Sequence, residues 1–206
     1  MILVRDGVVD VTTRTLTARW TNGALTFLAS RVDGEPLVND PPDQAPPMCL
    51  VYASGETVPL GREMGDRVYA LSRTDTEAEI RIEGWHGDGV IRITENSGTG
   101  DMVVEPSGYA SRPGLRSCRL PIAGVADSLE LVAPFFQGVR LRLDDPLISD
   151  SHWQWPHQWE AGLAILAGKT GGWWVRAEDD RYRYKALSVG SRDTPHTLGL
   201  DTEAYG

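Results

Sequence analysis

A strict two-residue alternation of apolar and polar side chains constrains the fold of this chain more than any other feature. It is clearest in AEIRIEG (78–84) and VRLRL (139–143), where one face of a strand would be apolar and the other charged. Eight further segments show a strand-like pattern: 15–20, 24–30, 67–73, 89–96, 128–134, 162–168, 172–178 and 181–190. Strands with one apolar and one solvated face are typical of antiparallel sheets.

Tight-turn residues separate these segments, and Asn22-Gly23 is the strongest hairpin signal among them. Further turns are indicated at 32–36, 86–89 and 168–172. No segment shows helical periodicity over twelve residues; the nearest, 121–133, is interrupted by Gly124. We therefore predict an all-β fold with little helix, in which two antiparallel sheets pack as a β-sandwich, because so many strands rarely form one uncovered sheet.

Two irregular stretches interrupt the strand rhythm, a proline-rich one at 38–49 and a second at 107–117. Neither has the length or composition of an interdomain linker. Because 206 residues, 41% of them apolar, suffice for one large core, we predict a single domain over residues 1–206.

The charge balance argues against polyanionic partners. Twenty Lys and Arg face 29 Asp and Glu, which gives a net charge of −9. Such a surface repels phosphate backbones and anionic lipids, so we expect neither nucleic acid nor membrane as a partner.

The N-terminus lacks the apolar region of a signal peptide and no apolar run is long enough to span a membrane, so we expect a cytoplasmic location. Cys49 and Cys118 match no metal-binding spacing, and two buried thiols are expected rather than a bridge.

Several chemistries lack their motifs. The sequence has no phosphate-binding glycine loop, no GxSxG, no HExxH and no cysteine–histidine metal pattern. His152 and His157 stand five residues apart, which fits neither a helical pair nor one strand face. We predict no catalytic residue, no metal and no cofactor, although the acidic run 178–180 leaves a calcium ion open.

The segment HWQWPHQWE (152–160) is the candidate binding site. In an unbroken strand, Trp153, Trp155, His157 and Trp159 would share one side. Pro156 cannot donate to a sheet ladder, so it places this segment at an edge, a bulge or a bend.

Two interpretations of the segment stay open. Its indole rings could stack on sugars while His152, Gln154, Gln158 and Glu160 bond hydroxyl groups, or its rings could fill the core or an interdomain contact. The residues predicted to bind carbohydrate are His152, Trp153, Trp155, His157, Trp159 and Glu160.

Both ends of the chain resemble one family. The stretch 8–38 is similar to the start of the galactose mutarotase-like β-supersandwich domain that precedes a (β/α)₈ barrel in many glycoside hydrolases, and 133–187 is similar to its closing half. The matching positions near the start are Leu16, Asn22, Gly23, Leu25, Leu28, Asp33, Gly34 and Leu37. The adjacency of Asp33 and Gly34 departs from the family pattern, and no histidine matches the catalytic motifs of a free-standing mutarotase.

This resemblance implies an accessory, non-catalytic domain of a glycoside hydrolase. It implies a C-terminal catalytic barrel in the same polypeptide as one partner and a carbohydrate as another. Two alternatives are an independent carbohydrate-binding module and an aldose epimerase or hydrolase that acts on its own. A histidine and a carboxylate within hydrogen-bond reach in a cleft would favour the enzyme.

Overall fold

The computed structural model describes residues 1–39, 45–135, 137–148, 150–179, 181–190 and 196–204. Within these ranges the chain forms nineteen β-strands and no helix. The first ten strands are β1 (Ile2–Arg5), β2 (Val8–Thr12), β3 (Leu16–Thr21), β4 (Ala24–Ser30), β5 (Pro36–Asn39), β6 (Met48–Tyr52), β7 (Thr57–Leu60), β8 (Arg67–Thr74), β9 (Glu77–Gly84) and β10 (Gly87–Glu95). The other nine are β11 (Met102–Ala110), β12 (Leu115–Val125), β13 (Glu130–Ala133), β14 (Val139–Arg142), β15 (Ser151–Gln154), β16 (Leu163–Ala167), β17 (Gly172–Arg176), β18 (Lys185–Gly190) and β19 (His196–Glu203).

The strands form three antiparallel sheets, which we call A, B and C. Sheet A has eleven strands in the order β1-β2-β3-β4-β5-β12-β19-β18-β15, and β6 and β7 extend it beside the first half of β12. Sheet B has the order β11-β10-β9-β8, and sheet C has the order β14-β13-β16-β17. All the strand pairs are antiparallel, so the predicted all-β antiparallel sandwich is confirmed.

The three sheets share one hydrophobic core. Side chains from sheet B, including Ile80, Ile82 and Ile91, belong to the same buried cluster as Leu187 of sheet A and Leu166 of sheet C. Sheet A therefore has a core face and an outer face. Because side chains alternate along each strand, a residue's neighbour in sequence lies on the opposite face.

The first hairpin shows how local sequence sets this architecture. Asn22 and Gly23 both have positive φ angles, 48° and 79°, and connect β3 to β4 in a tight turn. Two such residues match the right-handed twist of the paired strands. A Cβ atom on Gly23 would also lie 2.8 Å from Pro47, so this turn has no room for a larger residue.

Long-range strand pairing fixes two stretches with irregular sequence patterns, and only the first of them differs from expectation. Residues 107–117, expected as a connection, form the end of β11, a short turn and the start of β12. Residues 121–133 contain the end of β12 and all of β13, and Gly124 lies where the β12 pairing with β19 shifts register. No helix among the described residues is long and apolar enough to cross a membrane.

Candidate functional site

The aromatic segment contains a short strand followed by a turn. β15 ends at Gln154, and a cis peptide bond joins Trp155 to Pro156. The carbonyl group of Gln154 accepts hydrogen bonds from the backbone N–H groups of Gln158 (2.9 Å) and Trp159 (3.2 Å). Because the chain turns back here, the four side chains of equal parity do not share one side, unlike those of the unbroken strand considered above.

Two of the tryptophans lie in the core. Trp153 is 6% exposed and stacks on Phe135, with ring centroids 4.9 Å apart and planes 6° from parallel. Trp159 is 1% exposed, and its Nε1 donates a hydrogen bond to the carbonyl oxygen of Leu163 at 2.8 Å. Both indoles are therefore inaccessible to a ligand in this conformation.

Trp155 is half-buried in a charged environment at the end of β18. The Lys185 ammonium group lies 4.1 Å from the centre of its ring, and the Tyr182 ring lies 5.6 Å away. Lys185 is itself buried and donates to Asp179 at 2.6 Å. This hydrogen bond lowers the pKa of Asp179 to about 2, so the Asp179 carboxylate is ionised at neutral pH.

The remaining candidates are dispersed. His157 and Glu160 are exposed on the turn, whereas His152 is half-buried on the outer face of sheet A. His152 has this orientation because Trp153, its neighbour in β15, faces the core. The structure therefore does not bring the six predicted residues into one site, and it places His152 among different polar groups.

These groups form what we call the His152 network: Arg119, His152, Tyr184, Ser188 and Asp201. They come from the outer faces of β12, β15, β18 and β19 and from the residue before β18. Ser188 lies directly opposite His152 in the ladder, as Asp201 does opposite Arg119. The sheet register thus positions the network.

The buried half of the His152 network is an ion pair between Arg119 and Asp201. Arg119 Nε lies 2.5 Å from Asp201 Oδ1, and Nη2 lies 3.1 Å from Oδ2, so the contact is bidentate. The Asp201 side chain is fully buried and that of Arg119 is 22% exposed. The Arg119 side chain passes over Gly199, where a Cβ atom would lie 2.8 Å from Arg119 Cδ. Gly199 therefore leaves the space in which the guanidinium group reaches toward His152.

His152 has partners at both ring nitrogens. Nδ1 lies 2.8 Å from Ser188 Oγ and 3.5 Å from Arg119 Nη2, and Nε2 lies 3.0 Å from the Tyr184 hydroxyl group. Burial lowers the pKa of His152, the charge of Asp201 opposes this, and the charge of Arg119 adds to it. The imidazole is therefore neutral at neutral pH.

The tautomer follows from these partners. Because a guanidinium group can only donate, its 3.5 Å contact with Nδ1 favours the tautomer in which Nδ1 accepts and Nε2 carries the proton. Nε2 then donates to the oxygen of Tyr184, which leaves the phenolic proton of Tyr184 free to donate to another molecule. The Gln154 side chain, on the same face, has no hydrogen-bond partner among the described residues. The network thus offers directed, unused hydrogen-bonding capacity at a half-buried surface.

Sequence reasoning found His152 but missed its partners. Arg119 and Asp201 lie in β12 and β19, neither of which was predicted as a strand, so nothing indicated that they meet. Gly199 was the one available signal, since glycine inside a strand often marks the close approach of another group.

The other polar clusters are weaker candidates for a binding or catalytic site. His86 lies 3.1 Å from Glu63, but both side chains are exposed, and His196 lies 3.4 Å from the exposed Asp127. No group of three or more metal-ligating side chains occurs among the described residues; Asp180, part of the acidic run, lies outside them. Cys49 and Cys118 are buried free thiols, as predicted, and burial raises their pKa values to about 11 and about 12.

Comparisons with protein families and with curated protein sequences find no match to this chain. The resemblance to supersandwich domains of glycoside hydrolases therefore stays a prediction that rests on the sequence patterns described above.

Proposed function

We propose that this chain is a non-catalytic domain of a carbohydrate-active enzyme and that it binds sugar hydroxyl groups at the His152 network. The unused hydrogen-bonding capacity of that network carries the proposal. Sugar hydroxyl groups both donate and accept, and planar polar side chains with fixed orientation can discriminate their positions.

The electrostatics of the network suit a neutral ligand. Arg119 and Asp201 neutralise each other in a bidentate pair, and His152 is uncharged because burial lowers its pKa. What remains for the ligand is the hydroxyl group of Tyr184, the amide of Gln154 and the partly exposed guanidinium group of Arg119. The Arg116 guanidinium group lies beside them, 4.6 Å from the centre of the Tyr184 ring. A neutral polyol can use these groups without bringing a further charge into a half-buried site.

A non-catalytic role agrees with the contacts of His152. Its ring nitrogens contact a hydroxyl group on each side and a guanidinium group, and Asp201 is engaged by Arg119. General acid–base catalysis would need a histidine or carboxylate whose proton can reach the substrate. We further propose, from the resemblance, that the catalytic partner is a (β/α)₈ barrel domain in the same polypeptide.

Binding and turnover assays test the proposal. A panel of mono- and oligosaccharides is first screened on an array, and binding ligands are then measured by calorimetry. Tyr184→Phe removes only the hydroxyl group, and we expect it to weaken binding about 5- to 10-fold, the value of one hydrogen bond. Tyr109→Phe, which removes an exposed hydroxyl group from sheet B, is the matched control and should bind like the wild type.

Two results would contradict the proposal. If no saccharide in the panel binds, or if Tyr184→Phe binds unchanged, the His152 network is not a sugar site. Robust hydrolysis of aryl glycosides or epimerisation of free aldoses by this chain would instead overturn its non-catalytic character.

A further inference from the structure

The outer edge of sheet C has an unusual composition for an exposed strand. β17 is the last strand of that sheet, with the sequence GWWVR, and no strand pairs with its outer side among the described residues. Exposed edge strands present unpaired backbone groups, and proteins usually block them with proline, charge or a covering segment.

The other sheet edges carry such devices. Proline lies in or beside three of these edge strands: Pro59 in β7, Pro106 in β11 and Pro156 after β15. Two others carry arginines, Arg140 and Arg142 in β14 and Arg67 and Arg73 in β8. The edge of β1 is covered, because Ile2 N donates a hydrogen bond to Asp75 O. β17 has only Arg176, at its last position. Its centre, Trp174, is 50% exposed and lies opposite Ile165, which is 38% exposed.

The hydrogen bonds at both ends of the β16–β17 hairpin determine which backbone groups point outward. Gly168 N donates to Gly171 O at 2.6 Å, and Ala177 N donates to Gly162 O at 2.9 Å. The backbone groups of residues 171 and 177 therefore point toward β16 and form hydrogen bonds with it. Because backbone groups alternate in direction along a strand, those of the other odd-numbered residues of β17 also point toward β16. The N–H and C=O groups of Gly172, Trp174 and Arg176 point away from the sheet, and none has a hydrogen-bond partner among the described residues.

We propose that β17 pairs with β17 of a second copy of this chain, in an antiparallel, two-fold symmetric arrangement centred on Trp174. In that register Trp174 pairs with itself, and Gly172 pairs with Arg176 of the other copy. The three outward N–H groups and three outward C=O groups of each strand are then all satisfied, because outward-facing residues oppose each other as hydrogen-bonded pairs.

Side chains and charges fit the same register. Val132, Ile165 and Trp174 lie opposite one another on adjacent strands and form an apolar row on one face of sheet C. In the dimer the two Trp174 side chains lie side by side on that face, so the row continues across the two-fold axis. Arg176 faces a glycine instead of a second arginine, which avoids like-charge repulsion. Beyond the strand ends, Lys169 of one copy comes near Glu178 of the other, and both side chains are exposed and without an ion pair among the described residues.

Sedimentation velocity over a wide concentration range tests this pairing. We expect a reversible monomer–dimer equilibrium in the wild type and at least about tenfold weaker dimerisation in Trp174→Pro. Proline at this position removes an outward N–H group and no bond to β16. Trp85→Ser, which removes a tryptophan that is 85% exposed in the β9–β10 turn, is the control and should dimerise like the wild type.

Hydrogen exchange in the wild-type protein identifies the edge without any substitution. The amides of Trp174 and Arg176 should become more protected as protein concentration rises, while the amide of Trp85 should not. A wild type that stays monomeric at millimolar concentration would overturn the proposal, as would a dimer whose formation leaves these two amides unprotected. Sugar binding should be unchanged in Trp174→Pro, so this test is independent of the proposed function.

Discussion

Replacing Trp159 by alanine tests whether the aromatic segment serves the core. Trp159 is 1% exposed, belongs to the central hydrophobic cluster and donates to the Leu163 carbonyl group at 2.8 Å. The substitution removes the indole, leaves a cavity and leaves that carbonyl group without its partner. We expect it to lower the free energy of unfolding without abolishing sugar binding, because the His152 network lies on the opposite face of the sheet.

The expected magnitude follows from burial. Truncating a fully buried tryptophan to alanine costs about 3–5 kcal/mol, and the lost hydrogen bond adds about 1 kcal/mol. Trp155→Ala should cost only about 1–2 kcal/mol, because Trp155 is half-buried and its contact with Lys185 is one cation–π interaction. Trp85→Ala, at an exposed turn, should lie within about 0.5 kcal/mol of the wild type.

Urea denaturation followed by far-ultraviolet circular dichroism measures all three variants. The order of destabilisation should be Trp159, then Trp155, then Trp85, with similar dependence on urea concentration for each. If Trp159→Ala lowers the free energy of unfolding by less than about 1 kcal/mol, the reasoning is refuted, because loss of a packed core tryptophan destabilises a protein by more than that.

Three further predictions concern charge, thiol chemistry and backbone space. The lowered pKa of Asp179, about 2, contributes stability above the ordinary aspartate pKa near 3.8, and that stability is lost as pH falls through 2. The difference in melting temperature between wild type and Asp179→Asn should therefore shrink below about pH 4; a constant difference would contradict this. Cys49 and Cys118, with raised pKa values, should not react with a disulfide reagent at pH 8 until urea is added, and rapid labelling of the native protein would contradict their burial. Gly199→Ala should displace Arg119 and destabilise the protein by about 1–3 kcal/mol, measured by urea denaturation, whereas Gly190→Ala, whose new Cβ would lie 3.8 Å from its nearest neighbour, should cost less.

Sequence patterns predicted the fold class well because the strands that carry it alternate in polarity. All ten predicted segments overlap an observed strand, and the Asn22-Gly23 turn has the positive φ angles expected of it. Strands such as β6, which is buried along its whole length, escaped prediction because burial on both faces removes the alternation.

The candidate site was harder to predict because its members meet only through sheet order. His152, Ser188 and Asp201 lie on neighbouring strands, yet 41 residues, 155–195, separate β15 from β19 in the sequence. Aromatic composition drew attention to the segment 152–160 as a whole, and it could not indicate which side chains face the core and which face outward. Trp153 and Trp159 fill the core, whereas His152 lies on the outer face of sheet A, in the His152 network.

Nuclear magnetic resonance of the histidine rings, during titration with a saccharide selected on the array, tests the central claim most directly. The chain has four histidines, so each ring signal can be assigned by single substitutions. If sugar binds at the network, the ring signals of His152 should shift with saturation while those of His86, His157 and His196 stay in place. Saturable binding that leaves His152 unmoved would contradict the account.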